Sequence, residues 1–100
     1  MKRGTTPTHK FTLPFDTGLL AAVRIVYAQL DNVVLVKTGE DLTLSGDTIT
    51  TSLTQTETLQ FTCKAPVEIQ VRVLTLSGDA HNSDIVKVSV DRCLEDEVIE

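Results

Sequence analysis

The sequence lacks tryptophan and is poor in aromatic residues, with only Phe11, Phe15, Tyr27 and Phe61. A core without large rings has to be built mainly from Val, Leu and Ile. Recognition of sugars by stacking needs exposed aromatic rings, and Tyr27 falls on a predicted buried face. The shortage of aromatics therefore disfavours a carbohydrate-binding surface.

Long apolar runs are also missing, and no segment approaches the ~18 apolar residues that a membrane-spanning helix needs. Met1-Lys2-Arg3 is followed by Gly-Thr-Thr-Pro-Thr instead of an apolar segment, so we expect no signal peptide. These features predict synthesis in a cytoplasm, no membrane contact and reduced cysteines. Cys63 is expected in the core, and a bond between it and Cys93 stays open at this stage.

Positive charge is scarce, with 9 Lys and Arg against 14 Asp and Glu and a net charge of −5. Nucleic-acid binding requires a basic surface, so it is not expected. The imbalance is local, because Lys2, Arg3 and Lys10 lie near the start and five acidic residues lie within 91–100. Either both ends are solvated, or they match head to tail between subunits.

One triplet has a catalytic counterpart, since Asp16-Thr17-Gly18 matches the active-site triplet of aspartic proteases. That chemistry needs two carboxylates that share a proton. Leu19 follows where a small residue is expected, and no Gly-rich flap segment is present. We interpret the triplet as a turn.

Metal ligands and catalytic sets are not suggested by spacing. The residues of a conceivable Cys₂His₂ set are His9, Cys63, His81 and Cys93. They lack the paired C-x₂-C and H-x₃-H spacing of zinc sites. Asp79, His81 and Ser83 are neighbours in one predicted turn and are poorly placed for a triad. The sequence thus predicts no enzyme, catalytic residue, metal or cofactor.

What is present is strict alternation. Val67, Ile69, Val71 and Val73 alternate with polar residues over positions 67–76, which is typical of a strand with one buried face. Further strands are predicted at Phe11–Phe15, 22–29, 33–37, 42–45, 49–53, Leu59–Cys63 and Val86–Val90. Turns are predicted at Asp31-Asn32 and Ser45-Gly46-Asp47, and Thr54 to Glu57 has the spacing of a helix capping box.

Seven or eight short antiparallel strands with frequent turns predict an all-β protein with an immunoglobulin-like β-sandwich. A small β-barrel is the alternative. We expect a mobile N-terminal arm (1–8), a sandwich domain (9–91) and an acidic C-terminal tail (92–100). Pro14 is expected to place the first strand at a sheet edge or at its end.

Five polar residues are predicted on an open sheet face, namely Arg24, Glu68, Gln70, Arg72 and Lys87. The candidates for a subunit contact among them are Arg24, Gln70, Arg72 and Lys87. Such residues are either solvated or form a subunit contact, where Arg is favoured over Lys. Val34, Val36 and Leu74 share the exposed parity, so either another element covers them or they form an apolar patch.

Several segments together resemble a known family. They are Thr8-x-x-Phe11-x-Leu13-Pro14-Phe15-Asp16, Tyr27-Ala28-Gln29, Leu53-Thr54-Gln55-x-Glu57-Thr58-Leu59-x-Phe61, Ile69-Gln70-Val71-Arg72-Val73-Leu74-Thr75, Ser83-Asp84-Ile85, Val88-x-Val90-Asp91 and Cys93-Leu94-x-Asp96-Glu97-Val98. The series resembles small (~100-residue) prophage-encoded virion structural proteins of Firmicutes, over nearly the whole chain.

This resemblance implies a non-enzymatic role in a phage particle, at the tail, neck or capsid surface. The implied partners are other virion proteins or copies of the same chain in a homo-oligomeric assembly. It supplies no catalytic residues. The alternative function is a sandwich module that binds carbohydrate or protein on a host surface.

Overall fold

The computed structural model describes all residues, 1–100. Segments in which apolar and polar residues alternate form most of its eight strands. The strands are β1 (Thr8–Thr12), β2 (Leu20–Gln29), β3 (Asn32–Thr38), β4 (Thr43–Ser45), β5 (Thr48–Ser52), β6 (Val67–Thr75), β7 (Ala80–Asn82) and β8 (Val86–Val88). One short helix, α1 (Gln55–Leu59), and two 3₁₀ turns, Thr17–Leu19 and Gly39–Asp41, connect them.

The strands form two antiparallel sheets. One has three strands in the order β1-β5-β4, and the other has five, with β3-β2-β6 followed by β7 and β8, which both pair with β6. Two facing antiparallel sheets of short strands are the arrangement of an immunoglobulin-like sandwich. That prediction is confirmed, and the alternative of a closed barrel is wrong because the strands form two separate sheets.

The core lies between the inner faces of the two sheets. Its buried side chains are Val23, Ile25, Tyr27, Ile49, Leu53, Phe61, Val67, Ile69, Val71, Val73 and Val90. Seven of these alternate along β2 and β6, as the sequence predicts. Tyr27 is fully buried, its ring centre lies 6.1 Å from that of Phe61, and its hydroxyl lies 2.7 Å from Nδ1 of His9.

Burial keeps the side chains of Tyr27 and His9 uncharged at neutral pH. Burial and, secondarily, the charge of Glu57 raise the pKa of Tyr27. Burial and the nearby amino terminus lower the pKa of His9. One proton between the phenol oxygen and the imidazole nitrogen thus links β1 to β2 without a buried charge.

A second polar contact ties the edge of the larger sheet to α1. Lys37 points inward from β3, opposite Ile25, and its Nζ lies 2.8 Å and 2.7 Å from the two carboxylate oxygens of Glu57. Burial alone would raise the pKa of Glu57. The hydrogen bond and charge of Lys37, with bonds from Thr54, lower it overall. The capping box predicted from Thr54 and Glu57 is present.

The predicted strand Leu59–Cys63 is wrong. The chain there is α1 followed by a loop, because the capping box starts a helix at Gln55. The loop's backbone groups are then satisfied by the buried amide of Gln29, which bonds to the Thr62 N–H and to the carbonyls of Thr62 and Ala65. Phe61 is still buried, whereas Cys63 is exposed and not in the core.

Other strand limits differ by small shifts. The β2–β3 turn is Leu30-Asp31, with φ of 51° and 64°, one residue before the predicted Asp31-Asn32. The first strand ends at Thr12, before Pro14, and the last ends at Val88. The three-residue strand β7 is not predicted because Ala80–Asn82 shows no apolar alternation.

The two ends of the chain lie beside each other. The Arg3 N–H donates to the Asp91 carbonyl, and the Asp91 N–H donates to the Met1 carbonyl. The Arg3 guanidinium binds Asp96 at 2.8 Å. One charge from each end is thus matched within the chain, while matching between subunits and the expected mobility of residues 1–8 stay predictions. Both cysteines are free thiols.

Glu57 and Lys37 give a test of the inner polar contact. We expect Lys37→Met to lower the free energy of unfolding by about 2 kcal/mol, because it leaves a mostly buried carboxylate without its counter-charge. Lys37→Met/Glu57→Gln should recover part of that loss. Urea unfolding of each variant measures this, with exposed Lys87→Met as the control.

The ion pair of Lys37 and Glu57 should also make the stability of the fold depend on pH in the acid range. Because the fold lowers the pKa of Glu57 from 4.5, its stabilising contribution is complete above that pH and is lost as the pH falls through the folded value. The loss below pH 4.5 should be smaller in Glu57→Gln. Equal acid sensitivity in the wild type and Glu57→Gln would contradict the assignment.

Candidate interaction surface

The outer face of the five-stranded sheet carries two arginines directly opposite each other. The register between β2 and β6 pairs Arg24 with Arg72, and both side chains are exposed. Opposed residues on neighbouring strands have Cβ atoms about 4.5–5.5 Å apart. We name Arg24 and Arg72 the arginine pair.

No carboxylate balances the arginine pair within the chain. Arg72 Nε donates to Oδ1 of Asn82 at 3.0 Å, and Arg24 makes no side-chain hydrogen bond. The protein's two ion pairs are Arg3–Asp96 and Lys37–Glu57. Like charges directly opposed across strands are destabilising. This face therefore holds a local excess of positive charge on a chain whose net charge is −5.

The other two residues predicted to form a subunit contact, Gln70 and Lys87, have neighbours of their own within the chain. Gln70 lies on the same face as Arg72, but its amide donates to the Ser83 carbonyl at 3.0 Å. That bond braces the segment between β7 and β8. Lys87 stands opposite Glu68, a residue of opposite charge, in the β6–β8 register. The structure thus brings Arg24 and Arg72 together and leaves Gln70 and Lys87 at the margin.

Apolar side chains flank the arginine pair along β2 and β6, while the polar Thr38 and Asn82 lie opposite Arg24 and Arg72 on the neighbouring strands. Ala22 and Val26 flank Arg24 along β2, and Leu74, which is 41% exposed, follows Arg72 on β6 opposite Ala80. The arginine patch comprises Ala22, Arg24, Val26, Arg72, Leu74 and Ala80. All of these except Val26 line a shallow depression of about 280 Å³, together with Val73 and Asn82. Val36 extends the apolar surface on β3, opposite Val26, whereas Val34 packs against the core.

This arrangement is suited to an anionic partner with apolar neighbours. A guanidinium presents several N–H donors in a planar fork that matches a carboxylate. Two forks side by side can hold two carboxylates, and the flanking apolar side chains can bury part of the same partner.

A second concave feature, the lateral groove, lies between β1 and the β7–β8 edge. Two depressions of about 300 and 240 Å³ share Thr12, Leu13, Val71 and Ser83. Phe15 and His81 face each other across it, with ring centres 6.3 Å apart. The sequence places Phe11 to Phe15 in a strand near an edge, but it gives no signal that the opposite sheet edge stands open there.

Residues with catalytic counterparts have structural roles. Asp16 Oδ1 accepts the Gly18 N–H at 2.7 Å and caps the first 3₁₀ turn, as its interpretation as a turn residue requires. Ser83 Oγ accepts the Val71 N–H and donates to the Asp84 carbonyl. No group of three His, Cys, Asp or Glu side chains is placed to hold a metal ion. No helix is long and apolar enough to cross a membrane.

Known proteins that resemble this chain were sought by sequence and by structure. No family of known proteins and no curated protein matches the chain. Among solved structures, the V domain of amphioxus IgVJ-C2 is similar over 89% of this chain and 95% of its own, with 10% identity and a TM-score of 0.35.

The opposed charges predict an unusual stability effect. We expect Arg24→Gln to raise the free energy of unfolding by about 0.5 kcal/mol at low salt, because it removes a cross-strand repulsion. The gain should shrink in 1 M salt, where the screening length is about 3 Å. Chemical unfolding at both salt concentrations measures it, with exposed Lys64→Gln as the control. A loss of stability in Arg24→Gln would show that the pair is not repulsive.

Proposed function

We propose that this protein is a non-enzymatic structural subunit that packs against other protein subunits through the arginine patch. The observation that carries the proposal is the arginine pair: two opposed guanidinium groups, exposed, without a carboxylate partner and bordered by apolar side chains. A second chain that brings carboxylates would relieve the repulsion and cover the apolar border. Arginine is also enriched at protein interfaces relative to the rest of the surface.

The setting we propose is a prophage-encoded virion, reached after synthesis in a bacterial cytoplasm. The motifs that resemble small virion proteins span nearly the whole chain. A rigid two-sheet body with an accessible sheet face also suits repeated packing. Partners would be other virion proteins or copies of this chain in an oligomeric assembly at the tail, neck or capsid surface.

A host-surface binding module is the second candidate, and it would use the lateral groove. Phe15 and His81 supply ring surfaces there, whereas Tyr27 is fully buried and cannot stack on a ligand. This function predicts that groove substitutions, such as Phe15→Ala, abolish binding to host cells. Substitutions in the arginine patch would leave that binding unchanged.

The test of the structural function is incorporation into particles. Density-purified particles from an induced lysogen of the source organism should contain the chain at a constant copy number, measured by quantitative mass spectrometry. Arg24→Glu/Arg72→Glu should be depleted from the particles by roughly 10-fold or more, because charge reversal at a contact is repulsive. Lys10→Glu/Lys64→Glu makes the same charge change away from the patch and should be incorporated normally.

Two results would contradict the proposal. The chain could remain wholly in the soluble lysate, which would remove the virion role. Alternatively, both charge-reversal variants could enter particles as the wild type does, which would remove the arginine patch from assembly.

A further inference from the structure

We propose that the arginine patch binds the acidic C-terminal segment, residues 94–100, of a second copy of this chain. The inference rests on the proposed function and names its partner. It predicts a head-to-tail contact in which one copy contributes a sheet face and the next contributes its tail.

The C-terminal segment has the complementary chemistry. Its apolar side chains are largely uncovered, with Leu94 90%, Val98 41% and Ile99 73% exposed. Glu95, Glu97 and Glu100 are also exposed and take part in neither ion pair of the chain. Carboxylates interspersed with apolar side chains match guanidinium groups bordered by apolar side chains.

The segment's own chain holds it away from the arginine patch. Asp96 binds Arg3, and the side-chain amide of Gln55 bonds to both the N–H and the carbonyl of Ile99. These contacts place the segment beside α1, and no ion pair joins it to Arg24 or Arg72. A second copy is therefore needed to bring the two charged surfaces together.

Spacing supports a contact by Glu95 and Glu97. In an extended chain, residues two apart point to the same side and lie about 6.6 Å from each other. The Cβ atoms of the opposed arginines lie about 4.5–5.5 Å apart, so two long guanidinium side chains can reach two such carboxylates. Asp96 binds Arg3 of its own chain, whereas its neighbours Glu95 and Glu97 are exposed.

Charge also favours this contact over a symmetric one. A twofold dimer formed by two arginine patches would place four guanidinium groups in one interface and would add to the existing repulsion. A head-to-tail contact instead joins opposite charges. Such a heterologous contact leaves a free patch at one end and a free tail at the other, so it can extend into a ring or a filament.

The experiment uses two full-length variants that each lose one side of the contact. The face variant is Arg24→Gln/Arg72→Gln, and the tail variant is Glu95→Gln/Glu97→Gln/Glu100→Gln. Asp96 is kept in both, so the bond to Arg3 is preserved. Sedimentation velocity at low salt gives the oligomer distribution, and thermal unfolding monitored by circular dichroism shows that each variant is folded.

We expect the wild type to self-associate at low salt and to dissociate in 1 M salt. Each variant alone should associate roughly 10-fold or more weakly. An equimolar mixture should restore a complex that stops at the dimer, because the intact tail of one variant meets the intact face of the other. The matched controls, Lys10→Gln/Lys64→Gln and Glu40→Gln/Asp47→Asn/Asp84→Asn, should associate as the wild type does.

The outcomes separate this inference from the proposed function. If the tail variant associates like the wild type while the face variant does not, the partner assignment is wrong and the arginine patch remains an interface. If the wild type is monomeric at low salt, the inference is overturned, while incorporation into particles still tests the function independently. Unchanged association of the face variant would count against both.

Discussion

The structure depends on the register between β2 and β6. These strands supply seven of the buried core residues on one face, from Val23 on β2 to Val73 on β6. Because side chains alternate, the same register places Arg24 opposite Arg72 on the other face. A slip of β6 by one residue would turn Arg72 inward and expose the core side chains of that strand. The hydrophobic core therefore holds two like charges together at a cost in electrostatic energy.

Elsewhere, two cationic side chains each meet a carboxylate of the same chain. Lys37, which faces inward from β3, meets Glu57, and Arg3 meets Asp96. The central phenol of Tyr27 is kept neutral and is bonded to His9. Against this background, the arginine pair is a charge cluster that the fold leaves without a carboxylate. A surface contact is the simplest use for a pair that folding alone does not favour.

Local pattern predicts much of this fold. Alternation at 67–76, the Ser45-Gly46-Asp47 turn and the Thr54–Glu57 capping box each act within a few residues, and each is present. The exposed parity of Arg24 and Arg72 follows from the same alternation. Their direct opposition does not, because it depends on which strands are neighbours and on the register between them. The sequence between positions 24 and 72 does not indicate which strands are neighbours or how they are aligned.

The wrong predictions also have a non-local cause. Leu59, Phe61 and Cys63 alternate like a strand, but the backbone partners that residues 62–65 need come from the side chain of Gln29. The lateral groove likewise exists because the edges of two different sheets stand apart. Arg3 and Asp96 meet because residues 1–3 lie beside Asp91. None of these arrangements is encoded in a short segment.

The most direct test of the arginine patch as an interface is a dilution series followed by two-dimensional ¹H–¹⁵N NMR of the wild type at low salt. An interface at the arginine patch should give concentration-dependent shifts for the amides of Arg24, Val26, Arg72 and Leu74, and these shifts should disappear in 1 M salt. Shifts confined to the lateral groove, around Thr12 and His81, or no shifts at any concentration, would contradict it.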